Sequence, residues 1–440
     1  MSLENARARV AATLCVLAAL AACHHHTTHY VPPRDVVLIV IDTLRADHVS
    51  LYGYPRETAP NLARFAREAV TYDDAISPGT WTTPSHGSLF TGRWPSYHGA
   101  ERVAGDRTLV TPINPEVPTL AELLRPHGFH TAAFVANSAY VARVLGFDRG
   151  FDEFFDRDLN VARQVRNALG GWLVGHREHA FIFMNILDPH EPYDPPPPFD
   201  TRFPGKHAEY GTTLTTLVFG GIRPTPDMLT HFVSQYDGEI AFTDTVLADI
   251  FGDLRSSGRY DDALVVVTSD HGEMFGEHGL AGHGHFPYEP LVHVPLLVKY
   301  PRGWRGGERV TRRVSTLGVF ATILASVGVP PPADVQSIPL DEPHPVWVED
   351  VAPGGIRVRA GYDGARKLVR TTTDHGDVDM LFDLARDGDE THAITEANAS
   401  AELHTALAAF SAAPRPVNRG TTPVVDPERE FKLRALGYLQ

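Results

Sequence analysis

The chain has 440 residues, 43% of them hydrophobic, so it is long enough to bury a large core and to form two or three domains. Its formal net charge is -15, and an acidic surface repels phosphate backbones, which argues against nucleic acid as a partner. Both cysteines, Cys15 and Cys23, lie near the amino terminus, and this distribution predicts a mature protein without a disulfide.

Residues 1–22 have the features of a signal peptide. Arg7 and Arg9 precede an apolar stretch, residues 10–22, that is shorter than a bilayer span requires. Leu20-Ala21-Ala22-Cys23 resembles a bacterial lipobox, which implies cleavage before Cys23 and lipidation of its thiol. We therefore expect a lipoprotein of the cell envelope that faces the periplasm, with the outer membrane favoured and residues 23–34 as a tether. An ordinary secretory peptide with an incidental cysteine is the alternative.

Four apolar runs, each ending in polar residues, predict strands that are buried on both faces. They are residues 36–41 before Asp42, 132–135 before Asn137, 181–187 before Asp188-Pro189-His190, and 263–267 before Thr268-Ser269-Asp270-His271. Helical patterns separate them, including a capping box at Thr119 and Glu122 and a long amphipathic helix over residues 236–254. This alternation predicts an α/β fold whose site lies beyond the carboxyl ends of the strands.

Proline-rich segments divide the rest of the chain. Residues 192–198 predict a loop over the rim of the site, and residues 211–226 an insertion or lid. Pro330-Pro331-Pro332 marks the end of a catalytic domain assigned to residues 35–330. Short strands near residues 346–348, 356–360 and 367–370 predict a small C-terminal subdomain in residues 331–400. A helix and a tail are expected in residues 401–440.

Asp42 and the Asp270-His271 pair end two separate buried runs, where an unpaired carboxylate is unfavourable. A divalent cation held between them is the simplest explanation. Pro84 is suited to the first position of a helix, with Thr82 or Thr83 as its cap and Gly92 past its end. Such a helix directs its positive end toward Thr82, where it would stabilise an alkoxide or an incoming phosphate.

One segment of the chain resembles the sulfatase signature, in which the first residue, Cys or Ser, becomes formylglycine. The segment is Thr82-Thr83-Pro84-Ser85-His86, followed by Leu89, Thr91 and Gly92. Further segments resemble sulfatase-like hydrolases in the same order: residues 42–47, 60–62, 146–155, 188–190, 269–273, 277–279 and 381–384. The resemblance implies the fold of the alkaline phosphatase superfamily. That fold is a three-layer α/β sandwich with a large, mostly parallel central sheet and a smaller C-terminal subdomain. Threonine, however, cannot become formylglycine.

The resemblance also implies roles for individual residues. It makes Asp42, Thr82, Asp270 and His271 metal ligands, with Thr82 also the nucleophile. His190 and His283 would be catalytic residues that contact the transferred group, and His86, His285 and Asn137 would bind substrate.

The chain departs from the sulfatase pattern at several positions. Thr43 replaces the second Asp of the paired ligands, His86 replaces an Arg, His271 replaces an Asn, and Gly318 stands where an Asp is common. His283 stands where sulfatases usually have a Lys. Fewer carboxylates and an added imidazole favour one divalent ion, Zn²⁺ or Mn²⁺, with Ca²⁺ still possible.

These expectations together predict a metal-dependent hydrolase or transferase that acts on a phosphate ester, either a diester or a phospholipid headgroup. Two alternatives stay open. One is a sulfatase that cleaves sulfuric esters without formylglycine, and the other is a non-catalytic envelope lipoprotein that keeps the fold as a binding module.

Overall fold

The computed structural model of the protein describes residues 30–103, 109–157, 160–215, 221–352, 355–394, 400–416 and Leu433. The predicted signal peptide, the lipidation site Cys23 and most of the predicted tether and tail lie outside the described residues. From Pro32 onward the described residues form one compact unit. Among them, no helix has both the length and the apolar character that crossing a bilayer requires.

The described residues form fifteen strands and nine α-helices. The strands are β1 (Asp35–Ile41), β2 (Val70–Ile76), β3 (His130–Val135), β4 (Glu153–Phe155), β5 (Ala180–Ile186), β6 (Ala263–Ser269), β7 (Met274–Phe275), β8 (Ala281–Gly282), β9 (His293–Lys299), β10 (Arg309–Val310), β11 (Val314–Ser315), β12 (Trp347–Ala352), β13 (Ile356–Asp363), β14 (Arg366–Thr373) and β15 (Gly376–Asp383). The helices are α1 (Pro60–Phe65), α2 (Thr82–Thr91), α3 (Pro95–His98), α4 (Leu120–Leu124), α5 (Ala162–Gly175), α6 (Pro226–Ser256), α7 (Glu289–Val292), α8 (Gly318–Val327) and α9 (Ala401–Ala412).

Nine strands form the main sheet, in the order β10-β2-β9-β6-β1-β5-β3-β4, with β11 beside β2. The four strands predicted from apolar runs are β6, β1, β5 and β3, which are consecutive in this order and parallel to one another. Strand β9 is antiparallel to both β6 and β2. The sheet is therefore mostly parallel, and the carboxyl ends of these four strands share one edge.

Both faces of the main sheet are covered. Along β1, Val37 and Ile39 belong to a core that includes residues of α1, α5 and α6. Leu38 and Val40 belong to a second core that includes residues of α2, α4 and α8. Successive strand residues point to opposite faces, so one apolar run supplies both cores. This three-layer arrangement confirms the predicted fold class.

A second sheet contains four antiparallel strands in the order β12-β13-β14-β15. It lies within the segment predicted to form a C-terminal subdomain, and α9 lies within the segment predicted to be helical. The sequence predicted three of these strands and missed β15. The first three residues of β15 are exposed, so the strand lacks the apolar run by which the other strands were recognised.

The second sheet contacts the segments on either side of α2. Asp350 of β12 accepts a hydrogen bond of 3.0 Å from the indole Nε1 of Trp81, and another from the hydroxyl of Thr80. The adjacent Glu349 is fully buried and accepts a hydrogen bond of 3.1 Å from the backbone N–H of Ser96. The C-terminal sheet thus fixes the positions of residues that precede and follow this helix.

Two helices begin earlier than the sequence predicts. Helix α2 begins at Thr82 with Trp81 as its N-cap, so Pro84 occupies the third position and not the first. Helix α6 begins at Pro226, ten residues before the predicted start, and the side chain of Thr225 caps it. Amphipathic spacing predicted only the part of α6 from residue 236 onward, and the predicted insertion over residues 211–226 overlaps the helix at Pro226 alone.

We expect Leu38→Ala to lower the free energy of unfolding by about 2 to 5 kcal/mol, because it opens a cavity against the central strand. Leu38 is 0% exposed. A matched control is Val378→Ala in β15, where the side chain is 57% exposed and the loss should stay within about 0.5 kcal/mol. Urea denaturation followed by fluorescence measures both, and equal losses would contradict the position of Leu38 in the core.

Candidate active site

Polar residues from three elements meet at the carboxyl edge of the main sheet. Asp42 follows β1, and Asp270 and His271 follow β6. Because β1 and β6 are adjacent, parallel and in register, the two carboxylates emerge side by side. Thr82, the first residue of α2, comes to the same place, with its Oγ1 3.3 Å from Nε2 of His271. The structure therefore brings the four predicted metal ligands together.

His271 shows what this group is arranged to bind. Its Nδ1 donates a 2.8 Å hydrogen bond to the carbonyl of Gly272, so Nε2 carries the lone pair. That Nε2 lies 3.6 Å from Oδ1 of Asp42 and 3.4 Å from Oδ2 of Asp270. Burial lowers the pKa of His271, although Asp270 opposes this shift. A nitrogen lone pair and three oxygens, including the Thr82 hydroxyl, therefore converge on one small volume.

The donor atoms fit a divalent cation. Asp42 Oδ1 and Asp270 Oδ2 are buried and have no hydrogen-bond partner among the described residues. Burial and the nearby charge of Asp270 raise the pKa of Asp42 to about 7. Burial acts against ionisation of Asp270 as well, but His271 and His86 lower its pKa to about 2. The ligand atoms of Asp42, Asp270 and His271 lie within 4.8 Å of one another, close enough for one ion.

Asn137 links Thr82, the predicted nucleophile, to Asp42, a predicted metal ligand. Its Nδ2 donates hydrogen bonds of 2.7 Å to Oδ2 of Asp42 and 3.4 Å to Oγ1 of Thr82. Its backbone N–H donates a 2.7 Å hydrogen bond to Oδ1 of Asn185, a buried residue of β5. The sequence analysis predicts a substrate-binding role for Asn137. Its contacts also fix the Thr82 hydroxyl relative to Asp42.

The four predicted metal ligands, Asp42, Thr82, Asp270 and His271, are called the metal group below. His86 lies next to this group, on the side of Asp270 and Thr82. Its Nδ1 is 2.9 Å from the carbonyl oxygen of Thr82 and 3.3 Å from Oδ2 of Asp270. The ring packs edge-on against Phe147 and Phe183. Burial disfavours a charge on this imidazole, but the neighbouring carboxylates raise its pKa. These contacts place His86 beside Asp270, and its role in substrate binding stays a prediction.

The imidazole rings of His190 and His283 lie side by side, next to the metal group. The ring of His283 lies 4.5 Å from that of His271 and 5.1 Å from that of His190, measured between centroids. The Nδ1 of His283 is 3.1 Å from Oε1 of Glu273, and the Nδ1 of His190 donates to the carbonyl of Glu191. These bonds orient both rings, so the two predicted catalytic imidazoles lie together next to a predicted metal ligand.

His285 has different contacts. Its ring Nε2 is 3.0 Å from the carbonyl oxygen of Ala281, and its own carbonyl accepts a 3.2 Å hydrogen bond from the Thr80 hydroxyl. The described contacts therefore join His285 to β8 and to the segment before α2, and not to the metal group. Its role in substrate binding stays a prediction.

Three residues of the site have no assigned role in the sequence analysis. Glu273 orients His283, Asn185 orients Asn137, and Asp350 holds the residues before α2. Asn185 interrupts an otherwise apolar run, and Glu273 lies in a segment that resembles sulfatases, so both carried a signal. Asp350 lies in the second sheet, and the sequence contains no pattern that connects it to Thr80 and Trp81.

Comparisons with known proteins show which proteins the chain is similar to. The chain is 21% identical over 442 residues to the uncharacterized sulfatase YidJ of Escherichia coli, a match that covers 85% of this chain and 86% of that protein. It is 27% identical over 262 residues to the phosphatidylethanolamine transferase Mcr-1 of E. coli, covering 57% of this chain and 45% of that protein.

The crystal structure of a phosphonate monoester hydrolase of Agrobacterium radiobacter has the same fold, with a TM-score of 0.67 at 20% identity over 92% of this chain and 95% of that one. The profile of the family described as Sulfatase matches residues 34–329, which include the four predicted metal ligands, α2 and both imidazoles predicted to be catalytic. From this match, the fold and the site, we conclude that the chain belongs to the sulfatase family and is an enzyme of the sulfatase superfamily.

Proposed function

We propose that the protein is a metal-dependent hydrolase or transferase that acts on phosphate esters, a diester or a phospholipid headgroup, with Thr82 as its nucleophile. One observation carries the proposal. The Thr82 hydroxyl lies 3.3 Å from Nε2 of His271 and 3.4 Å from Nδ2 of Asn137, at the first position of a buried helix. The positive end of the helix dipole stabilises negative charge at that position.

The identity of residue 82 favours phosphate over sulfate. A formylglycine sulfatase releases sulfate by elimination from an aldehyde hydrate, and a threonine side chain provides no such route. A phosphorylated threonine can instead be resolved by attack of water or of an acceptor hydroxyl on phosphorus. Relatives of the chain include sulfatases and a phosphatidylethanolamine transferase, so membership of the family is compatible with either ester.

The residues present support a double displacement. Thr82 Oγ1 attacks phosphorus in line, the bond from phosphorus to the leaving oxygen breaks, and a phosphothreonine forms. His190 and His283 exchange protons at Nε2 with the leaving and attacking oxygens, since each ring is oriented through its Nδ1. Water or an acceptor hydroxyl then attacks phosphorus from the vacated side and restores Thr82.

Enzymes of this family use a metal ion, and here Asp42, Asp270, His271 and Thr82 would hold it. A bound divalent ion would lower the pKa of the Thr82 hydroxyl and offset charge on the phosphoryl oxygens. Two carboxylates, one imidazole and one hydroxyl favour Zn²⁺ or Mn²⁺ over Ca²⁺, which takes six to eight oxygen ligands. Thr43 contributes to the site a backbone N–H, 3.3 Å from Asp270 Oδ1, where sulfatases have a second Asp.

We further propose that a lipid at Cys23 anchors the enzyme in the cell envelope, facing the periplasm. A membrane anchor would hold the site near phospholipid headgroups and raise their effective concentration. The negative net charge of the chain gives no long-range attraction for an anionic substrate, so substrate capture would depend on the local field of the metal site.

Replacing Thr82 tests the nucleophile. We expect Thr82→Ala to lower kcat on a nitrophenyl phosphodiester by about 10³-fold or more, because the attacking oxygen is removed. Thr82→Ser keeps that oxygen and should retain activity within about tenfold. Metal content should persist in both variants, since Asp42, Asp270 and His271 remain. Unchanged turnover by Thr82→Ala would remove Thr82 from the mechanism.

The ester class can be measured directly. Parallel assays with 4-nitrophenyl sulfate and bis(4-nitrophenyl) phosphate should show a higher kcat/KM for the phosphodiester. Rapid acid quench followed by intact-mass and peptide analysis should detect a phosphoryl adduct on Thr82. A higher kcat/KM for the sulfate ester, with a sulfated threonine, would support the sulfuric ester hydrolase instead.

Substitution of the carboxylates tests the metal group. We expect Asp42→Asn and Asp270→Asn each to weaken Zn²⁺ binding by at least about tenfold. Loss of a residue that only hydrogen-bonds to a metal ligand already weakens binding by about that much, and these substitutions remove a ligand itself. Asp47→Asn is the control, because that side chain is 55% exposed and pairs with Arg45. Elemental analysis after dialysis gives the metal content. If the protein binds no divalent ion and turns over no ester, the non-catalytic alternative is correct.

A further inference from the structure

A second group of imidazoles and carboxylates lies at the opposite edge of the main sheet. His130 is the first residue of β3 and Glu153 the first residue of β4, which pairs with β3 in parallel. His176 follows α5, and Glu178 lies two residues before β5. His130 and Glu178 therefore lie at the amino ends of β3 and β5, whose carboxyl ends face the active site, and Glu153 and His176 lie beside them.

The side chains of this group are in direct contact. Oε1 of Glu153 lies 2.9 Å from Nε2 of His130 and 3.1 Å from Nε2 of His176. Oε1 of Glu178 lies 3.7 Å from Nδ1 of His130. The ligand atoms of His130, His176 and Glu178 lie within 4.8 Å of one another. In a tetrahedral zinc site, Zn–N distances of 2.0 to 2.1 Å place ligand atoms about 3.3 Å apart, so small adjustments would suffice.

Each of the two imidazoles has a ring nitrogen that faces a carboxylate. The Nδ1 of His176 donates a 2.8 Å hydrogen bond to the carbonyl of Trp172, so Nε2 of the neutral ring presents its lone pair to Glu153. Both nitrogens of His130 face carboxylates, so its neutral ring also presents one lone pair to an anion. A lone pair facing a carboxylate is repulsive unless a proton or a metal ion lies between them.

The surroundings hold the group in place and leave it accessible. The indole of Trp172 stacks on the ring of His176 at 4.3 Å, and its Nε1 donates a 2.8 Å hydrogen bond to Glu153. The side chains of His130 and His176 are each 26% exposed and that of Glu178 is 45% exposed. An ion can therefore enter from solvent without a rearrangement of the backbone.

We propose that His130, His176 and Glu178 bind a Zn²⁺ ion, with Glu153 beside it as a further carboxylate ligand or as the acceptor that orients the imidazoles. Two imidazoles with carboxylate oxygens are a donor set suited to zinc. The ion joins the end of α5 to the starts of β3 and β5, so its role is structural. It is separate from the active-site ion, because it lies at the other edge of the sheet.

The test is zinc stoichiometry. Full-length protein and a His130→Ala/His176→Ala variant are equilibrated with buffered micromolar Zn²⁺ and analysed by elemental mass spectrometry. We expect the double variant to bind one zinc ion fewer per chain, and Glu178→Gln to bind this ion at least tenfold more weakly. Both variants should keep the esterase activity of the unmodified protein, because none of these residues belongs to the active site.

His404→Ala is the matched control. Its imidazole is 33% exposed and lies 2.9 Å from a carboxylate oxygen of Asp379, and it belongs to neither candidate metal group of the described residues. Its zinc content should equal that of the unmodified protein. Equal zinc content in the double variant and the unmodified protein would overturn the proposal, and the group would then consist of protonated imidazoles paired with carboxylates. Circular dichroism confirms that each variant is folded before the comparison.

Discussion

The repulsion between the carboxylates of Asp42 and Asp270 is the constraint on which the site depends. Both residues end central strands that are buried on two faces, so their charges emerge where water has little access. The fold keeps them adjacent because β1 and β6 pair in parallel. The cost of this arrangement is offset when positive charge lies between them. In the mechanism that we propose, the Thr82 hydroxyl at the same point would then be activated as the nucleophile.

Much of this arrangement follows from the sequence because parallel sheets produce strong local patterns. Strands buried on both faces are nearly continuous apolar runs, and the residues that follow them must meet at one edge. The positions of Asp42, Asn137 and Asp270 could therefore be predicted from the four runs. The place of Thr82 was predicted from the resemblance of residues 82–92 to the sulfatase signature, because a helix start with proline in its first turn is too common to identify a site by itself.

Other parts of the site depend on contacts between segments that are distant in the chain. Glu273 is recognisable as a partner of His283 only after the β7–β8 hairpin has brought the two together. In the sequence, Asn185 is only a polar residue that interrupts an apolar run. The structure shows its role, which is to accept a hydrogen bond from the backbone N–H of Asn137. The same holds at the other edge of the sheet, where His130 belongs to β3 and His176 follows a helix. Local patterns carry no information about such pairs, since tertiary packing alone determines them.

The hydrogen bonds from Trp81 and Thr80 to Asp350 make the C-terminal sheet part of the catalytic apparatus, although it contributes no ligand. A change in either sheet at this contact is therefore expected to disturb the other. In a chimaera that joins the first 330 residues of this chain to the terminal segment of a distant homologue, the residues that precede Thr82 would lose their hydrogen bonds to Asp350. We expect recombination between members of the superfamily to keep the segment before α2 together with β12. Engineered crossover points should therefore not lie between these two segments.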